Sequence, residues 1–221
     1  MFKYSKTTTQ AYEIIKREIL DVKFKAGVKL DETEICSELG ISRTPIREAL
    51  RRLEEEGFIE RTSQIGCTVK LFSLKEVKEL YEVRKVLELA ASKLVLEGLN
   101  PENFKKFDTI FKTDRNMVKS FRDVKNYITR EGLIFHQLIS DLCGNEVLSK
   151  ILNNVLEKLS LIHRRVLEDE RTILSVKEHN DILMSLREKN GVKLEAGLIN
   201  HIDSVKKYVI DMLLREEKYF V

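Results

Sequence analysis

Gly40 and Ser42 stand two positions apart; one helical pattern ends on the first and another begins on the second. This spacing restricts the fold strongly, because two helices joined so closely must turn sharply against each other. The upstream helix is read from "LDETEICSELG". Asp31 with Glu34 three residues on makes a capping-box pattern, and Leu30, Ile35 and Leu39 are core positions. Gly40 is placed to end this helix in the left-handed conformation. The downstream helix is read from "GISRTPIREALRRLEEEG". Ser42 is a preferred N-cap, and Pro45 falls in the first turn, where a missing N–H costs nothing. Ile46, Ala49, Leu50 and Leu53 recur at i, i+3, i+4 and i+7, which is one apolar face. Arg43, Arg47 and Arg51 drift only ~40° per step and line a second stripe.

Upstream, "TTTQAYEIIKREILD" places Tyr12, Ile15 and Ile19 on one helical face, and "VKFKAGVKL" follows as a polar, lysine-containing turn. After Gly57 the period changes to two short β-like runs, "FIERT" and "CTVKLF", joined by "SQIG" as a hairpin. Three helices and a hairpin make a winged helix-turn-helix, whose second helix of the turn enters a major groove with its N-terminal residues leading. The net charge of +3 is too small to diagnose nucleic-acid binding by itself. The basic footprint is local: "ISRTPIREALRR" holds four arginines against one glutamate.

At 221 residues the chain has room for two modest domains, read here as 1–72 and 73–221. Nine glycines and two prolines, against many Leu, Ile, Glu and Lys, favour a mainly α protein. From "FSLKEVKELYEVRKVLELAASKL" onward the helical period dominates, broken mainly at "EGLNPEN", "LCGN", "LEDER" and "EKNG". That predicts six or seven helices, no strands and an antiparallel bundle with an internal cavity. Arg84 and Glu88 are spaced i, i+4, as in a surface ion pair, but inside a bundle an arginine clamps a carboxylate ligand well. His179 and His201 flank the turn at Asn190 and Gly191 at similar distances, which sets them level on antiparallel helices. A histidine pair is more often structural than ligating; His136 adds a third on another helix. Cys36, Cys67 and Cys143 are odd in number and far apart, so reduced thiols in a cytoplasmic protein are expected. Neither an apolar signal core nor a membrane-length apolar run is present.

The first seventy residues closely resemble the GntR family of bacterial transcription regulators, through "KAGVKLDETEICSELGISRTPIREALRRLEEEGFIER" and the wing glycine of "QIGCTV". The resemblance implies that Arg43 and Arg47 read base edges, that Ser42, Thr44 and Pro45 approach the backbone, and that Gly66 lets the wing tip close on the minor groove. Two positions depart from the pattern: Ala26 stands where many members have proline, and Thr33 where many have a DNA-contacting arginine.

The second half resembles the FCD domain of the FadR-type branch of that family. The resemblance is carried by "ExR…E" in its first helix, by "FHxxxxxxxGN" and by the paired His179 and His201. It implies an all-helical, dimeric ligand-binding domain that holds zinc or nickel through an aspartate and three histidines. His136, His179 and His201 match the histidines; the aspartate position is Gly132, with Glu131 about 100° off that face. His163 matches no ligand position and is expected to be partly exposed and structural.

Together these readings describe a cytoplasmic, homodimeric, metabolite-responsive regulator that binds a palindromic operator in double-stranded DNA. Its helical domain would sense a small carboxylate through Arg84, with Asn145 as a weaker contact. Two alternatives stay open: a metal-dependent enzyme with an appended DNA-binding module, and a regulator whose helical domain only dimerises.

Overall fold

The computed structural model describes residues 6–62, 65–107, 109, 133–166 and 169–215, and it divides into two compact units, Met1–Phe72 and Ser73–Val221. In the first unit, α1 (Lys6–Leu20), α2 (Glu32–Leu39) and α3 (Arg43–Glu55) precede β1 (Ile59–Thr62) and β2 (Gly66–Val69). Helices α1 and α2 both pack on α3. The apolar stripes explain why: Tyr12, Ile15, Ile19, Ile35, Ile46, Ala49, Leu50 and Leu53 are all buried, and each large one contributes about 1.5–3 kcal/mol by leaving water. Leu39, expected in this core, is only half-buried. Asp31 caps α2 by accepting from the backbone N–H groups of Thr33 and Glu34 at 2.7 and 3.2 Å. Gly40 ends it at φ 62°, a conformation glycine adopts without strain. Ser42 holds the N-cap position of α3, but its hydroxyl makes no cap hydrogen bond.

The wing is an antiparallel pair with Ile59 opposite Val69 and Thr62 opposite Gly66. Its second strand stops at Val69, short of the expected "CTVKLF". The lysine-containing turn is more than a turn. Lys29 bridges Thr68, Leu30 N–H donates to the Cys67 carbonyl at 2.8 Å, and Gly27 N–H donates to the Val69 carbonyl at 2.8 Å. The backbone before α2 therefore covers one edge of β2, which an isolated two-stranded ribbon would leave open.

In the second unit, α4 (Leu74–Gly98) is followed by helical residues 101–107 (α5) and 133–142 (α6). Then come α7 (Glu146–Val166), α8 (Asp169–Arg187) and α9 (Gly191–Arg215). Among the described residues this unit holds no strand. A full capping box, Ser73 with Glu76, opens α4. Helix α9 packs against α8, α4 and α7, and α4 also packs against α7. Phe107, Phe135, Ile139, Leu156, Ile182 and Leu198 belong to one buried apolar cluster. Gly197 lets α9 lie close on α8, since a Cβ there would meet Ile182 Cγ1 at 3.2 Å. Contacts at 182 with 197 and at 179 with 201 mean that the two helices run antiparallel. Among the described residues no helix is long and apolar enough to cross a membrane.

Candidate nucleic-acid interface and metal centre

In the first unit, burial of Ile46, Ala49, Leu50 and Leu53 turns the other side of α3 to solvent. Ser42, Arg43, Thr44 and Arg47 are exposed, Pro45 is half-buried, and Thr33 is exposed on the first turn of α2. Among the described residues Arg43 has no polar partner. Arg47 Nε donates to Glu32 Oε2 at 2.8 Å, and Arg51 pairs with Glu48 and Glu55 along its own helix. Two of the three arginines of the stripe are therefore held by carboxylates that a phosphate or base edge must displace. Sequence reasoning missed Arg61 on β1, exposed and paired with Glu32 at 3.8 Å and Glu54 at 3.6 Å. Glu32 so links an arginine of α3 to one of the wing. Gly66 opens β2 at φ 90°, where a side chain would be strained. The wing-tip residues Ser63 and Gln64 lie outside the described residues.

In the second unit, His136 comes from α6, His179 from α8 and His201 from α9, and all three are buried. Their Nε2 atoms converge: 3.1 Å for His136 to His179, 3.2 Å for His136 to His201, and 3.3 Å for His179 to His201. Glu88 receives His136 Nδ1, and Glu178 Oε2 lies 2.7 Å from His201 Nδ1. With Nδ1–H groups donating to carboxylates, the Nε2 atoms of His136 and His201 carry lone pairs, and those lone pairs face each other. Burial, the Arg84 guanidinium and His163 hold His136 well below the ordinary imidazole pKa. For His179 and His201 burial again leads, followed by the neighbouring imidazoles, so all three rings are neutral near pH 7. His179 stacks on Phe135 with ring centroids 4.5 Å apart, and its buried Nδ1 has no hydrogen-bond partner.

The set fits a divalent cation. Three nitrogens at these separations share a point about 2.0–2.1 Å from each, the zinc–imidazole distance, and a cation there relieves the opposed lone pairs. Carboxylates on the outer Nδ1 atoms fix the tautomer that ligation needs. Gly132 and Glu131, where the resemblance put the fourth ligand, lie outside the described residues.

Arg84 and Glu88 are 1% and 0% exposed, so the surface ion-pair reading of their spacing does not hold. Arg84 Nε donates to Glu88 Oε2 at 2.8 Å, and its Nη2 donates to His136 Nε2 at 2.8 Å. The guanidinium thus stands beside the histidine triangle. Asn145 does not join it. That residue is exposed, and its Oδ1 accepts from Leu148 N–H at 3.0 Å, which uses the carboxamide to cap α7. His163 is half-buried and shares a hydrogen bond with the Tyr81 hydroxyl at 2.5 Å; burial, then Arg84 and Arg171, push its pKa down to about 3. Sequence reasoning missed Glu178 and Arg171, whose Nη2 donates to Glu178 Oε2 at 2.8 Å. Their spacing, two helical turns apart with Glu178 next to His179, is a signal that was present in the chain.

Comparison with known proteins agrees with both halves. The family described as bacterial regulatory proteins, gntR family, matches residues 7–69, and the FCD domain matches residues 79–204. The uncharacterized HTH-type transcriptional regulator YdhC of Bacillus subtilis (strain 168) is 30% identical, covering 91% of this chain and 92% of its own. The Nta operon transcriptional regulator of Aminobacter aminovorans is 26% identical over 86% of this chain and 88% of its own. The crystal structure of a GntR regulator from Rhodococcus sp. RHA1 shares the fold, with a TM-score of 0.79 at 21% identity, covering 94% of this chain and 99% of that one. The chain therefore belongs to the GntR family of bacterial regulatory proteins, as a DNA-binding transcription regulator with a C-terminal FCD domain.

Proposed function

We propose that this regulator binds a palindromic operator as a homodimer and releases or tightens its grip when the helical unit takes up a small carboxylate beside a divalent metal. The observation that carries the sensor half is the triangle of Nε2 atoms, 3.1–3.3 Å on a side, with the Arg84 guanidinium against it. His136, His179 and His201 would hold the ion, zinc or nickel, which supplies a positive centre for the effector's oxygens. The rest falls to the chain's own side chains. His136 Nε2 has one lone pair, so it cannot both ligate an ion and accept from Arg84. Metal uptake therefore frees an Arg84 donor, and a carboxylate is the partner a guanidinium fits best. Glu88 keeps both His136 and Arg84 oriented from a fully buried position.

On the DNA side, Arg43 and Arg47 would read base edges, Ser42, Thr44, Pro45 and Thr33 would approach the backbone, and Gly66 would let the wing close on the minor groove. The uncapped hydroxyl of Ser42 supports a phosphate contact, because it has no competing role in the helix. Dimerisation has a physical motive: one helix reads few bases, and two linked modules gain affinity through effective concentration.

The test combines metal and DNA. Purified protein should bind zinc or nickel at one ion per chain, and His179→Ala should abolish that uptake. Binding to the gene's own upstream DNA should then respond to small carboxylates only in the metal-loaded protein. A protein that ignores both metals, yet binds DNA normally, would leave the helical unit as a dimerisation domain. Turnover of a carboxylate would instead favour the enzyme.

A further inference from the structure

Arg171 is 5% exposed and spends only Nη2 on a partner; its Nε and Nη1 are buried with no hydrogen-bond partner. A guanidinium carries five donors and no acceptor, and burying them unpaired is costly, so the two unpartnered donors call for an acceptor. Nor is Arg171 far from the histidines. Glu178 Oε2 accepts from Arg171 Nη2 at 2.8 Å and lies 2.7 Å from His201 Nδ1, so one carboxylate oxygen separates guanidinium from imidazole. Arg84 and Arg171 both act electrostatically on Tyr81, His163 and His201, which puts the two cations around one group of side chains.

The charges give the class of ligand. Arg84 and Arg171 are balanced by Glu88 and Glu178, and the three imidazoles are neutral. A divalent ion on the histidines leaves the group two positive charges in excess. We propose that Arg171 is a second anion-binding residue and that the ligand of this unit is a small dicarboxylate, one carboxylate meeting Arg84 and the histidine-held ion and the other meeting the free donors of Arg171. Two separate guanidinium groups, each already shared with a glutamate, suit two singly charged ends better than one compact dianion. This rests on the metal-and-carboxylate reading above.

The experiment is calorimetric titration of the zinc- or nickel-loaded full chain with acetate, butyrate, malonate, succinate and glutarate. Wild-type protein should bind at least one of the diacids about ten- to hundredfold tighter than butyrate, the scale of a charged hydrogen-bonded contact. Arg171→Gln keeps an amide N–H to donate to Glu178, so it should erase that advantage while leaving butyrate binding and metal affinity near wild type. Arg171→Lys keeps a cation for Glu178 but loses the fork, and it should lose most of the same advantage; thermal melts of both variants check that they fold. Arg84→Gln should weaken monoacids and diacids together. If Arg171→Gln and Arg171→Lys weaken every acid equally, or act by lowering metal affinity, Arg171 only positions Glu178 and His201, and the proposal is wrong. Equal binding of butyrate and all diacids by the wild type would also overturn it, leaving the carboxylate sensor intact. Binding of no acid at all would remove both.

Discussion

The two units put arginine to work in opposite settings. Arg43 and Arg47 stand in solvent on the winged unit, one without a polar partner among the described residues and one on the half-buried carboxylate of Glu32. Arg84 and Arg171 are almost wholly buried in the helical unit, each on a glutamate and each close to the histidines. Water already solvates an exposed arginine, so its ion pair adds little to folding and is given up readily to DNA. A buried arginine has lost that solvation, and only its neighbours compensate it. Side chains of the first kind can be changed one at a time. Those of the second kind are coupled, because each loss strands another charge or hydrogen-bonding group.

The contrast is broken or sharpened most strongly at Glu88. Glu88→Ala leaves the Arg84 cation buried without its carboxylate and should destabilise folding by about 3–5 kcal/mol in urea unfolding. A cost no larger than that of Glu32→Ala on the winged unit would erase the distinction. Next in size is Arg43→Ala, which should weaken specific operator binding by about ten- to hundredfold while leaving the unfolding transition in place. Equal weakening on all DNA sequences, with a salt slope lower by about one unit, would reassign Arg43 to phosphate.

Smaller effects separate capping from contact. Asp31→Ala removes the acceptor of two backbone N–H groups and should lower the melting temperature of the winged unit by about 4–8 °C. Ser42→Ala, at the uncapped start of α3, should leave melting unchanged and reduce DNA affinity in gel-shift titration. A clear melting loss for Ser42→Ala would mean that the hydroxyl serves the helix after all. Smallest is Glu32→Gln, which takes a negative charge from between Arg47 and Arg61. Stability should change by less than ~0.5 kcal/mol, and DNA association should quicken slightly at low salt.

Much of this protein follows from local rules, and the chain displays those openly. The i, i+3, i+4, i+7 recurrence of Ile46, Ala49, Leu50 and Leu53 names a buried face, and Gly40 two positions before Ser42 names a sharp turn. Equal spacing of His179 and His201 about one turn foretells that they meet. Other features exist only once helices pack. The i, i+4 spacing of Arg84 and Glu88 is the same whether the pair lies in water or in a core, and burial comes from α7 and α9 packing on α4, with His136 of α6 meeting the pair. His136 reaches His179 across 43 positions, and Arg171 reaches His201 through an oxygen of Glu178. The edge of β2 is covered by backbone atoms of a segment that reads as a polar turn, because backbone hydrogen bonding leaves no mark on side-chain pattern. Periodicity reports which residues share a face; only the tertiary structure decides what that face meets, since pairing over long separations depends on the packing of the whole unit.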